Sequence, residues 1–264
     1  MASIKLDQLV DKLVESAPPG ELKEVGEGLS SLVSSPAVIN ESLESYIQKN
    51  GAVFSGKYIA SSYNKDESST KYIDYVSKKK FNVDLQSNRV TDIESFVPSV
   101  TYPPYFEDVV STLETYGEDH YPSGYAFTVI PVSSSSVRII IIGQRLNNEN
   151  YYTGQWKSNY LIDGSNVSGT VKLDIHYYED GNVRLNFDEK VSTSLNGSIT
   201  GSEIVNVINN AENKITLQIV DDFNQLNQKY FKNLRRLLPI TRSKINWGNA
   251  IGNYRLGSDV VNKQ

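Results

Sequence analysis

One uninterrupted helical stripe near the C-terminus limits what this chain can become. From Ser202 to Leu238 there is no Pro or Gly, and Ile204, Ile208, Ala211, Ile215, Ile219, Phe223, Leu226, Tyr230, Leu234 and Leu237 recur in steps of three or four. That spacing puts one apolar face along a single helix. Thr200 can cap it, with Glu203 three residues on as the reciprocal partner. At 1.5 Å per residue the helix runs about 55 Å. A compact globule of 264 residues has a radius of gyration of ~18 Å and a diameter of roughly 47 Å. The helix overruns its own domain, and its spare stripe needs cover from elsewhere. The chain reads as half of something larger.

The rest of the chain reads as α+β. Over residues 1–50, Leu6, Leu9, Val10, Leu13 and Val14 form one stripe, Leu22, Val25, Leu29, Leu32 and Val33 a second, and Ile39, Leu43, Tyr46 and Ile47 a third. Short connections at Ala17-Pro18-Pro19-Gly20 and Ser35-Pro36 make these a three-helix bundle. Residues 51–125 mix short strands near Tyr58-Ile59, Tyr72–Val76 and Phe81–Val83 with a proline-rich loop from Val97 to Tyr105 and a helix from Phe106 to about Tyr116. Residues 126–200 predict an antiparallel meander: Ala126–Val132, Val137–Arg145, Trp156–Ile162, then two strands of strict period two. In those two, Val171, Leu173, Ile175 and Tyr177 alternate with Lys172, Asp174 and His176, and Val183, Leu185 and Phe187 alternate with Arg184, Asn186 and Asp188. One face is expected buried and the other polar, and an open meander leaves edges to be covered, paired or blunted. The long helix over 201–238 and a tail over 239–264 complete the chain.

Charge is uneven along this chain. The 26 basic and 31 acidic residues give −5 overall, against a dedicated nucleic-acid binder. Yet from Phe223 to Ser258 there is no acid, while Lys229, Lys232, Arg235, Arg236, Arg242, Lys244 and Arg255 are all basic. The helix dipole accounts for Lys232, Arg235 and Arg236 near a helix C-terminus without any ligand. It does not reach Arg242 and Lys244, beyond Pro239. After Pro239, Trp247, Ile251 and Tyr254 fall at i, i+4 and i+7, while Gly248, Gly252 and Gly257 weaken the helix by about 1 kcal/mol each. The plain alternative is a terminal helix docked on its own core. The glycines favour instead an amphipathic segment that gains structure in a partner's groove.

Catalysis finds no footing. The two histidines, His120 and His176, match no catalytic spacing, and the latter reads as a structural residue beside Asp174 on a polar strand face. No metal or cofactor cluster stands out. The absence of cysteine excludes disulfides and thiolate sites and fits a reducing compartment. The N-terminus lacks a signal-peptide apolar core, and no apolar run nears the ~18 residues of a spanning helix.

Four runs give the chain a family resemblance. Leu234–Trp247 (LRRLLPITRSKINW) resembles the C-terminal signature of the F-actin-capping protein alpha subunit, in a form closest to fungal members. His176–Val183 (HYYEDGNV) resembles that family's hairpin motif, and Tyr152–Ser158 (YTGQWKS) its Gly-x-Trp-basic-Ser element. Ala17–Glu21 (APPGE) is similar to its N-terminal helix connection. Residues 51–104 align poorly.

The resemblance implies one half of a pseudo-symmetric obligate heterodimer with a capping protein beta subunit, strands of both forming one sheet crossed by long helices. It implies Ca2+-independent binding to barbed ends of actin filaments, blocked subunit exchange, no cofactor, and a cytoplasmic place in cortical actin structures of the cytoskeleton. Acidic phosphoinositides and capping regulators are implied as further partners. The family's basic actin contacts fall on Lys232, Arg236 and Arg242, and its C-terminal tentacle on about Ser243 to Val261. With Arg235, Lys244, Trp247, Ile251 and Tyr254 these are the expected actin-binding residues. Two other functions compete. A peripheral protein binding anionic lipid through the basic tail is weakened by the tail's three glycines, and a calmodulin-type target by Pro239.

Overall fold

The computed structural model describes residues 5–18, 20–85, 87–179, 182–226 and 228. The chain divides into two compact units, Met1–Asn209 and Asn210–Gln264. In the first, helices α1 (Leu6–Glu15), α2 (Leu22–Leu32) and α3 (Pro36–Asn50) form the expected bundle. Val10, Val14, Leu29, Val33, Ile39 and Leu43 interlock as its core. Burying each such side chain contributes ~1.5–3 kcal/mol, which helices this short need in order to persist. Ser42 Oγ adds a hydrogen bond to Asp11 Oδ1 at 2.5 Å. The bundle does not use all of its apolar surface: Leu6, Leu9 and Leu13 on α1 and Leu32 on α2 are exposed.

After α3 come a two-stranded ribbon, β1 (Ala52–Phe54) and β2 (Tyr58–Ala60), and a three-stranded sheet of β3 (Tyr72–Asp74), β4 (Lys79–Asp84) and β5 (Arg89–Ser95). β1 and β5 show no period-two pattern because one is three residues long and the other is almost wholly exposed, so neither carries a clean alternation. Helix α4 (Phe106–His120) then starts at the expected Phe106 and runs a turn beyond Tyr116.

The centre is a five-stranded antiparallel meander of β6 (Tyr125–Pro131), β7 (Ser136–Asn147), β8 (Tyr152–Asp163), β9 (Asn166–Tyr177) and β10 (Val183–Ser194), in the spatial order β10-β9-β8-β7-β6. Ile139 to Ile142 on β7 are all buried, so that strand is covered on both faces. Ile140 and Ile142 meet Val53 and Ile59 of the ribbon on one face. On the other, Tyr125 Oη donates to Leu113 O of α4 at 3.0 Å.

The polar face of the β9–β10 hairpin departs from expectation. His176 is only 8% exposed, because the α1–α2 connection lies over it. A sequence pattern reports which residues share a face, not whether another segment crosses it.

Helix α5 (Gly201–Gln225) follows. Thr200 Oγ1 accepts from Glu203 N at 3.2 Å, as a cap should. The reciprocal arm is different: Glu203 Oε1 accepts from Asn196 N at 3.4 Å, not from Thr200. Ile204, Val205 and Ile208 are buried. Gly201 N donates to Asp108 Oδ2 at 2.5 Å, and a Cβ on Gly201 would collide with the Asp108 carbonyl. Gly201→Ala is therefore expected to cost about 1–3 kcal/mol as α4 and α5 are forced apart, measurable as a lowered denaturation midpoint. In the second unit, Leu217, Val220, Phe223 and Leu226 are exposed. The continuation of the stripe through Tyr230, Leu234 and Leu237 lies outside the described residues.

Candidate functional site

Among the described residues the sheet has two edges, β6 and β10, and they differ. β6 is short, mostly buried and ends at Pro131, a residue that blunts an edge. β10 is twelve residues long, pairs with β9 along its whole length from Val183↔Tyr177 to Ser194↔Asn166, and has no second neighbour among the described residues. The outer N–H and C=O groups of such an edge offer a template for another strand.

The first residues of that edge are tied to the helical bundle. Gly20, at φ +80°, turns the connection so that Glu21 reaches the sheet. Glu21 Oε1 accepts from Thr153 Oγ1 of β8 at 3.0 Å and lies 2.7 Å from His176 Nδ1 of β9. His176 Nε2 lies 3.0 Å from Asn182 Oδ1, at the entry to β10. Two strand positions further, Arg184 Nε and Nη2 hold both carboxylate oxygens of Asp174, at 3.0 and 2.5 Å. The same guanidinium donates to the Ser16 and Ala17 carbonyls at the end of α1. The Asp174 carboxylate raises the Arg184 pKa, so the fork stays charged. Burial, then the nearby Asp174 charge, raises the Tyr46 hydroxyl beside them. Three runs that carried the resemblance, around Glu21, Thr153 and His176–Asn182, thus meet at one junction.

A second tie lies deeper. Lys157 Nζ donates to Gly51 O at 3.1 Å, at the C-terminus of α3, where a cation suits the helix dipole. Burial, reinforced by the Lys172 charge, pushes the Lys157 pKa down to about 8. A lowered lysine pKa means the unfolded chain holds the proton more tightly. The cost of burying the charge is therefore present in full below about 8 and is relieved as pH rises toward the usual ~10.4. Between pH 7.5 and 9.5 the native protein is expected to gain roughly 1–2 kcal/mol relative to Lys157→Met. Parallel denaturation curves of the two proteins at both pH values check this.

Glu21 and Lys157 fall within runs that carry the resemblance and Arg184 on a period-two strand, but nothing local tells that Glu21 reaches His176, that Arg184 reaches Ser16 and Ala17, or that Lys157 reaches Gly51. The eight expected actin-binding residues, Lys232, Arg235, Arg236, Arg242, Lys244, Trp247, Ile251 and Tyr254, lie outside the described residues. Among the described residues, no group of three His, Cys, Asp or Glu side chains could hold a metal, and no helix is long and apolar enough to cross a membrane.

A mixed α+β chain with a helical bundle clamped on a meander and one long strand edge left open is built as an assembly subunit. The family model for the F-actin capping protein alpha subunit matches residues 10–259. The chain is 60% identical to the F-actin-capping protein subunit alpha of Debaryomyces hansenii, over 100% of this chain and 99% of that one. It is 52% identical to the Candida albicans subunit over 99% and 100%, and 35% identical to that of Saccharomyces cerevisiae over 99% of each. Among solved structures, the homodimeric actin capping protein alpha subunit of Plasmodium berghei superposes with a TM-score of 0.72 at 19% identity, covering 90% of this chain and 98% of that one. The chain belongs to the F-actin capping protein alpha subunit family, a family of actin-capping and not catalytic proteins.

Proposed function

We propose that the chain pairs with a capping protein beta subunit and that the heterodimer occupies the barbed end of the actin filament, blocking subunit addition and loss without Ca2+. The match over residues 10–259 carries this reading, because it takes in the basic stretch and most of the tail as well as the folded body. The open edge of β10 supports it from the other side. A strand of the beta subunit added there would continue the sheet and satisfy a row of backbone groups.

Binding then has two parts. Lys232, Arg235, Arg236, Arg242 and Lys244 meet acidic surface at the filament end and speed encounter. Trp247, Ile251 and Tyr254 enter an apolar groove of a terminal actin subunit and slow departure. Acidic phosphoinositides compete for the same cations, and the protein acts in cytoplasmic actin structures, cortical ones included. The test is seeded elongation from barbed ends with the chain co-expressed with a beta subunit. Nanomolar complex should arrest growth in EGTA as well as in Ca2+. Elongation at the uncapped rate would overturn the assignment.

A further inference from the structure

The junction that ties the bundle to the sheet sits at the start of the edge strand, and its place there suggests more than glue. Asn182 and Val183 at the entry to β10 are exposed, Val183 at 62%. Core burial therefore does little to fix this end of the strand. β9 supports it on one side only. What remains is polar: His176 Nε2 against Asn182 Oδ1, and the Arg184 fork, which grips Asp174 on one side and the Ser16 and Ala17 carbonyls on the other. Asn182 and Arg184 lie two apart, hence on one face of the strand, and the α1–α2 connection holds that face from both of its ends. A strand held this way keeps its outer row of backbone groups in line before any partner arrives.

We propose that Glu21, His176 and Arg184 are positioning residues that preorganise the first half of β10 for pairing with the second subunit. This rests on the heterodimer reading above. The three side chains need not touch the second subunit; they act through the strand. A partner that meets an ordered template pays no ordering cost for it, and each strand residue left to order on association weakens binding about tenfold. Arginine is required at 184, because only a planar fork can bridge a carboxylate and two carbonyls at once. A lysine ammonium satisfies part of the set.

The test uses the complete heterodimer carrying Arg184→Met, Arg184→Lys or Glu21→Ala. Three quantities are read: the subunit dissociation constant on dilution, and amide hydrogen exchange in the complex at residues 183–188 and at Ile139–Ile142. Arg184→Met should raise the dissociation constant ~10–100-fold and speed exchange at 183–188 about tenfold or more, with Ile139–Ile142 unchanged. Arg184→Lys should fall between it and the native protein, a graded rescue that general destabilisation would not give. Glu21→Ala should act in the same direction. Should Arg184→Met fail to fold, Arg184→Lys and Glu21→Ala decide by the same readings. A native complex whose affinity is unmoved by these substitutions, or whose 139–142 amides speed up as much as 183–188, overturns the positioning role alone. A native chain that forms no complex with a beta subunit overturns the heterodimer assignment, and the positioning role with it.

Discussion

Removing residues 243–264 is expected to leave a folded heterodimer that still reaches barbed ends but leaves them roughly thirty- to a thousandfold faster. Among the described residues the bundle core is closed by Val10 to Leu43 and the ribbon–sheet core by Val53 to Ile142. What the removed segment takes to the filament is apolar: Trp247, Ile251 and Tyr254, each worth about 1.5–3 kcal/mol when buried. Ordering a stretch containing Gly248, Gly252 and Gly257 offsets part of that gain. Half of the gross gain, roughly 2–4.5 kcal/mol, corresponds to about one and a half to three decades in residence time, and affinity changes in related complexes fall mostly on dissociation. Single-filament imaging of labelled complex measures the dwell time directly. Truncation that unfolds the dimer would show that the segment is core, and an unchanged dwell time in a folded dimer would show that it does not grip.

Elements with a strong repeat are legible in the amino-acid order alone. The bundle stripes, the β9–β10 alternation and the start of α5 each depend on neighbours three, four or two residues away, which a sequence displays. β1 and β5 are not legible, because a three-residue strand and an exposed one bury too little to leave a period. The junction is half legible. Glu21, Thr153, His176 and Asn182 lie in three of the four runs that signal the family, while Arg184 and Asp174 lie outside them, and nothing local says that Glu21 reaches His176 across more than a hundred residues. His176 shows the limit most clearly: its strand position marks it as a structural polar residue beside Asp174, which its burial and hydrogen bonds bear out, but does not show that the α1–α2 connection crosses above it. The cations and aromatics of the proposed actin contact are legible only as pattern. Their support is the continuity of the family match through residue 259.

Reversing charge at Arg236 and Arg242 together should slow association with barbed ends by about ten- to a hundredfold and leave dissociation nearly untouched. Phe223 to Ser258 carries seven positive charges and no negative one, while the remainder of the chain holds 19 basic against 31 acidic residues. Such an asymmetry steers a molecule by its field before contact, and steering appears in the association rate. Because Arg242 stands beyond Pro239, the helix dipole gives it no role of its own, so its replacement tests the field and not the helix. The effect must also weaken with salt, since the Debye length falls from about 10 Å at 0.1 M toward 3 Å at 1 M. Association rates measured at several ionic strengths should converge for the native and Arg236→Glu/Arg242→Glu complexes as salt rises. Rates that remain parallel, or a defect confined to dissociation, would assign these arginines to direct contact in the bound state.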